Sequence, residues 1–138
     1  MNWFTWSLLS AGFAGVTAIL AKIGVSEISS NLATAIRTTV VLVLSWLVVW
    51  LTKSGGNWNF ISKRTWIFLT LSGLATGASW LCYFKALQLG KASQVAPIDK
   101  LSVVFVIIFA ALFLGEALTW RSIAGTLMIA GGAVLLAK

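Results

Sequence analysis

The chain of 138 residues has no histidine, one cysteine, one proline and three acidic side chains. Without histidine it lacks the side chain that titrates nearest neutral pH and the commonest transition-metal ligand. A lone Cys82 excludes an intramolecular disulfide and a cysteine-based metal site. Charged residues are also scarce, at 9% against about 25% in a soluble globular domain. A water-soluble fold is therefore not expected. Enzyme chemistry has few side chains to work with, and neither a cofactor nor a metal is expected.

What the chain has instead is apolar surface: 59% of its residues are hydrophobic, and eight are tryptophan. The net charge of +7 would suggest nucleic acid in a soluble protein. Here several of the ten basic residues lie inside apolar segments. They read either as flanking and snorkelling cations or as an internal anion site, and no nucleic-acid partner is expected. Met1 to Ala21 carries no Lys or Arg ahead of its apolar run, unlike a signal peptide. It is expected to stay as a helix.

Five stretches are long enough for the 17–25 or so residues that cross a bilayer, at about 3–23, 31–51, 66–87, 92–114 and 119–137. The expectation is a single all-α membrane domain over 1–138, a bundle of about five transmembrane helices; four is the alternative if a terminal segment is not inserted. Small residues from Ser10 to Ala18, and Gly73 with Gly77, leave thin faces on which helices pack closely. Lys53 to Thr65 is the one long loop, marked by Gly55-Gly56 and the cations Lys53, Lys63 and Arg64.

The fourth stretch, Ala92 to Glu116, departs most from plain scaffold. Asp99 and Lys100 stand adjacent inside its first half, where a charge costs about 2.5–3.5 kcal/mol if left in lipid. Pro97 lies just before them, and its missing N–H is tolerated best where a helix begins or breaks. The apolar run from Leu101 to Leu114 reaches only about 21 Å as a helix, short of the roughly 30 Å hydrocarbon core. The charged entry is therefore expected at membrane depth.

An odd number of spans divides the turns between two sides. Trp3, Trp6, Trp46, Trp50, Trp58, Trp66 and Trp120 fall toward the side of the N-terminus, as half of an aromatic belt; Trp80 does not. Lys22, Arg37, Lys85, Asp99 and Lys100, from four different spans, gather in the opposite half. For Lys22 and Lys85 snorkelling competes with function. Arg37 and Asp99 suit an internal salt bridge as well as substrate contact or proton coupling. Basic residues split four to one side and six to the other, too even to fix one orientation by the positive-inside rule. A chain that inserts both ways up supplies the inverted repeats from which many transporters are built.

Several blocks of the sequence resemble a known family. They are Tyr83-x-x-Ala86-Leu87, Gly90-x-Ala92-Ser93, Ala96-Pro97-Ile98, Leu101-Ser102, Leu114 to Thr119 and Gly125 to Gly132, with Ala35-x-Arg37 in the second span. Together they resemble the EamA domain of the drug/metabolite transporter superfamily, in its short single-domain, five-span form. The resemblance implies an all-helical carrier in the cytoplasmic (inner) membrane of a prokaryote. It also implies a homodimer, plausibly antiparallel, because larger relatives join two such domains in opposite orientations. Gly125 and Gly132, seven apart on one helical face, are similar to the dimer-packing glycines of small multidrug-resistance relatives. Those exporters carry an acid in the first helix, and this chain has none there.

The expected function is alternating-access transport of a small anionic or zwitterionic metabolite. Lys100, Arg37, Lys85, Tyr83 and Trp80 are the candidate substrate contacts, and Asp99 and Lys22 the candidate coupling or charge partners. Two other readings stay open: a non-transporting subunit that regulates a partner, and a component of a lipid-phosphate flippase.

Overall fold

The computed structural model describes residues 2–56 and 61–137. Six helices run through them: α1 Trp3–Gly24, α2 Ser30–Leu51, α3 Lys63–Leu89, α4 Ala92–Asp99, α5 Ser102–Phe113 and α6 Trp120–Ala137. No strand occurs among the described residues. Counting α4 and α5 as one stretch, five are long and apolar enough to cross a membrane, as the sequence implies. Trp58 of the tryptophan set and Lys138 of the basic set lie outside the described residues.

Short polar side chains start four of these helices, α1, α2, α3 and α6. A helix leaves its first N–H groups without partners, and a Ser, Thr or Asn at the cap accepts one of them. Asn2 Oδ1 accepts from Thr5 N–H at 3.0 Å, Ser29 Oγ from Leu32 N–H at 3.4 Å, and Ser62 Oγ from Thr65 N–H at 3.1 Å. At α6 the caps are reciprocal: Thr119 Oγ1 accepts from Ser122 N–H, and Ser122 Oγ accepts from Thr119 N–H. The Ser62 cap starts α3 earlier than the apolar run, so Lys63 and Arg64 lie in its first turn. A cation is disfavoured there by the helix dipole, and Arg64 lies over the Phe68 ring at 5.7 Å.

The fourth span breaks, though not at Pro97. Pro97 sits inside α4, which ends two residues later at Asp99. It denies one N–H to the carbonyl of Ser93, in the first turn, and the helix absorbs that loss. The interruption falls at Lys100 and Leu101. Lys100 N–H bonds Pro97 O at 3.1 Å, Leu101 N–H bonds Ile98 O at 2.9 Å, and Val103 and Val104 reach back to Lys100 and Leu101 in the same three-residue pattern. A tightened 3₁₀ turn thus joins α4 to α5.

Residues Met1–Leu20 with Leu89–Lys138 form one compact unit, and Ala21–Gln88 another. In the first, α4 and α5 pack on α6, Ala133 is buried, and Gln94 Nε2 donates to Ala137 O at 3.2 Å. In the second, Val25, Ala33, Phe84 and Leu87 are buried where α1, α2 and α3 meet. Most large apolar side chains face outward instead, Trp3 at 80% and Phe113 at 79% exposure among them. Soluble monomers rarely expose apolar patches beyond a few hundred Å². The outward face and the five long apolar helices make this a multi-pass membrane protein.

Candidate functional site

Arg37 lies seven residues after the start of α2, about 10 Å along the helix at 1.5 Å per residue. Facing it, α3 carries Trp80 and Phe84, four residues apart and so on one helical face. The guanidinium carbon of Arg37 sits 4.2 Å from the Trp80 ring centroid and 5.5 Å from that of Phe84. Tyr83 meets Phe84 edge-on, with ring centroids 6.4 Å apart. A cation over an aromatic face gains about 0.5–2 kcal/mol, more as water is excluded.

A cation–π contact uses none of the hydrogen-bonding capacity of the guanidinium, which has five N–H donors. Among the described residues no carboxylate pairs with Arg37. The neighbouring hydroxyls are engaged with their own helix: Thr34 Oγ1 donates to Ser30 O at 2.8 Å and Thr38 Oγ1 to Thr34 O at 2.7 Å. The result is a half-buried cation with an aromatic backing and no carboxylate partner among the described residues, an arrangement that fits a carboxylate or phosphate.

The other cations at this end of the same unit have different partners. Lys22, in the last turn of α1, donates to the carbonyl of Leu87 at 2.6 Å. That carbonyl is in the last turn of α3, where a lysine satisfies an orphan acceptor and complements the helix dipole. Lys85 is exposed and donates to Gln88 Oε1 at 3.3 Å, and Gln88 Nε2 donates to Ile28 O at 3.1 Å. Gln88 therefore links α3 to the loop before α2.

Asp99 and Lys100 belong to the other unit. Lys100 Nζ lies 3.5 Å from Asp99 Oδ2. Neighbours in sequence do not face each other on a regular helix; these two meet because α4 stops at Asp99. Gly125 and Gly132 are half-buried on α6, and a Cβ added at either would meet nothing within 4 Å.

Arg37, Trp80 and, through Phe84, Tyr83 are thus brought together from the sequence candidates. Phe84 is the member that sequence reasoning missed; its four-residue spacing from Trp80 is the signal that identifies it. No group of three His, Cys, Asp or Glu side chains comes together among the described residues.

The EamA-like transporter family profile matches residues 1–138. A relative from Sinorhizobium sp., named "Uncharacterized transporter in cobO 3'region", is 54% identical over 136 residues, covering 99% of this chain and 96% of that protein. No solved structure matches the chain.

Proposed function

The chain belongs to the EamA-like transporter family, and we propose that it carries small anionic or zwitterionic metabolites by alternating access. It is a multi-pass membrane transporter. The observation behind the substrate class is Arg37, held over the Trp80 ring with no carboxylate partner among the described residues. A charge at membrane depth is costly without a counter-ion, and a substrate carboxylate or phosphate supplies one. Trp80 and Tyr83 pack against the rest of the substrate. Lys100 and Lys85 add positive potential that attracts anions, and Asp99 carries the coupling charge.

The working unit in this reading is a homodimer, plausibly antiparallel, in the cytoplasmic membrane. The near-even split of basic residues supports it, as do the open glycine positions on α6. In that arrangement each membrane face receives a copy of the same site, and alternating access becomes an exchange between equivalent states.

The test is uptake into proteoliposomes of labelled carboxylates, phosphate esters, zwitterionic amino compounds and organic cations. Arg37→Gln is expected to lower uptake of the preferred anion at least tenfold while thermal stability in detergent holds. Full anion uptake by both Arg37→Gln and Lys100→Gln would sink the assignment. For the dimer, Cys82→Ser with Gly56→Cys is labelled in intact cells by an impermeant reagent. About half the protein reacting before permeabilisation supports antiparallel insertion, and labelling that is all or none rules it out.

A further inference from the structure

A cavity lined wholly by residues of the Ala21–Gln88 unit lies at the far end of α2 from Ser30. Trp46, Val49, Trp50, Leu51, Lys53 and Gly55 line a volume of about 690 Å³, within the few hundred to 1,000 Å³ or so typical of small-molecule sites. Trp46, Val49 and Trp50 recur at spacings of three and four, so they share one face of α2, and Lys53, two residues past its end, lines the same cavity. The lining is aromatic and aliphatic along the last turn of α2, with a lysine just beyond it. A ligand matching it is amphiphilic, with an apolar body and an anionic head.

The backbone at the charged end is specialised. Lys53 N–H bonds Trp50 O at 3.3 Å and Ser54 N–H bonds Val49 O at 3.1 Å, while Lys53 adopts φ 52°. This is the paired closure of a Schellman motif, whose left-handed position usually holds glycine. A side chain costs more there than glycine does, and Gly55 and Gly56 stand only two and three residues on. The chain has a lysine where the turn itself favours glycine. Non-glycine residues in this region point toward function when a site surrounds them, and here the site is the tryptophan-lined cavity.

We propose that this cavity binds a phosphate-bearing amphiphile, with the phosphate on Lys53 and the apolar portion against Trp46 and Trp50. An anionic phospholipid of the surrounding bilayer has this chemistry, since tryptophan favours the membrane interface and a lysine at that level attracts anionic headgroups. The same head chemistry is present in a soluble phosphate. The site is separate from Arg37 and does not depend on what the transporter carries.

The experiment is native mass spectrometry of the purified full chain, titrated with phosphatidylglycerol or phosphatidylcholine. Wild-type protein should retain phosphatidylglycerol about fivefold more strongly, the size expected for one lysine–headgroup contact. Lys53→Gly should erase that preference and raise the unfolding temperature, because glycine suits the turn. Lys53→Arg should keep the preference, and Trp50→Ala should weaken both lipids. Added inorganic phosphate that displaces phosphatidylglycerol assigns the site to the phosphate group alone; failure to displace it assigns the site to the lipid. A phosphatidylglycerol preference unchanged in well-folded Lys53→Gly overturns the proposal.

Discussion

The Lys22 ammonium donates to the Leu87 carbonyl across 2.6 Å, joining the last turn of α1 to the last turn of α3. Leu87 is fully buried, so its carbonyl has little access to water as a substitute donor. Hydrogen bonds from charged groups contribute about 1.5–3 kcal/mol, reduced here because Lys22 is only half-buried. Lys22→Met keeps the length of the side chain and removes the donor. It is expected to cost about 1–2 kcal/mol, read as a drop of roughly 5 °C in unfolding temperature in detergent. If Lys22 acts in coupling instead, stability holds in Lys22→Met and the response of transport to an imposed gradient is lost.

In the proposed site, arginine at position 37 serves through its shape as well as its charge. A lysine ammonium is a point charge that neither stacks flat on Trp80 nor offers a planar fork. Arg37→Lys is therefore expected to lose most of the anion uptake that Arg37→Gln loses, despite keeping the charge. Trp80→Phe keeps an aromatic face and should retain more uptake than Trp80→Ala, with a cation–π difference of about 1 kcal/mol, roughly fivefold, between them. Initial rates in proteoliposomes give the comparison. Equal uptake in Arg37→Lys and wild type would mean that charge alone suffices and that the stack on Trp80 is incidental.

Asp99 and Lys100 are in contact but partly exposed, at 38% and 60% for their side chains. Such pairs contribute only about 0–1 kcal/mol to stability, so the fold does not depend on this one. Asp99→Asn preserves size and removes the acid. The expected outcome is a nearly unchanged unfolding temperature; if Asp99 carries the coupling charge, a pH gradient accelerates wild-type uptake and Asp99→Asn loses that acceleration. Gradient-driven acceleration that persists in Asp99→Asn would remove Asp99 from the coupling role.

The sequence makes some of this architecture legible and hides the rest for identifiable reasons. Five apolar stretches of spanning length mark the helices, because a bilayer demands that length and composition of any chain. The disturbance in the fourth span is visible in Pro97, Asp99 and Lys100, but its position is not. It is set by three-residue hydrogen bonding around Lys100 and Leu101, which no residue type announces. Arg37 stands out as a charge inside an apolar span and Trp80 as the tryptophan outside the aromatic belt. Phe84 is lost among other apolar residues because its role depends on which face of α3 meets α2. The partner of Lys22 is a backbone carbonyl 65 residues away, and a carbonyl carries no sequence signature. Gly55-Gly56 signals a turn correctly, yet the left-handed residue is Lys53, because the cap geometry is fixed by where α2 ends.

The glycines of α6 allow the proposed homodimer to be tested without disturbing the fold of one chain. A Cβ at Gly125 or Gly132 meets nothing within 4 Å, so a larger side chain has room inside one copy of the chain. Helix association in lipid relies on close backbone approach at small residues, and a leucine at the contact face prevents that approach. Gly125→Leu and Gly132→Leu are therefore expected to keep the helical circular dichroism of the wild type while weakening self-association at least tenfold. Single-molecule photobleaching in liposomes measures that association. Gly131→Leu is the control: Gly131 is equally open but turned away from the stripe shared by Gly125 and Gly132, and it should leave the dimer intact. Transport should fall in parallel with dimer occupancy if the homodimer is the working unit. Full transport by a Gly132→Leu protein that photobleaches in single steps would make the protomer sufficient, and the inverted-repeat reading would then fail.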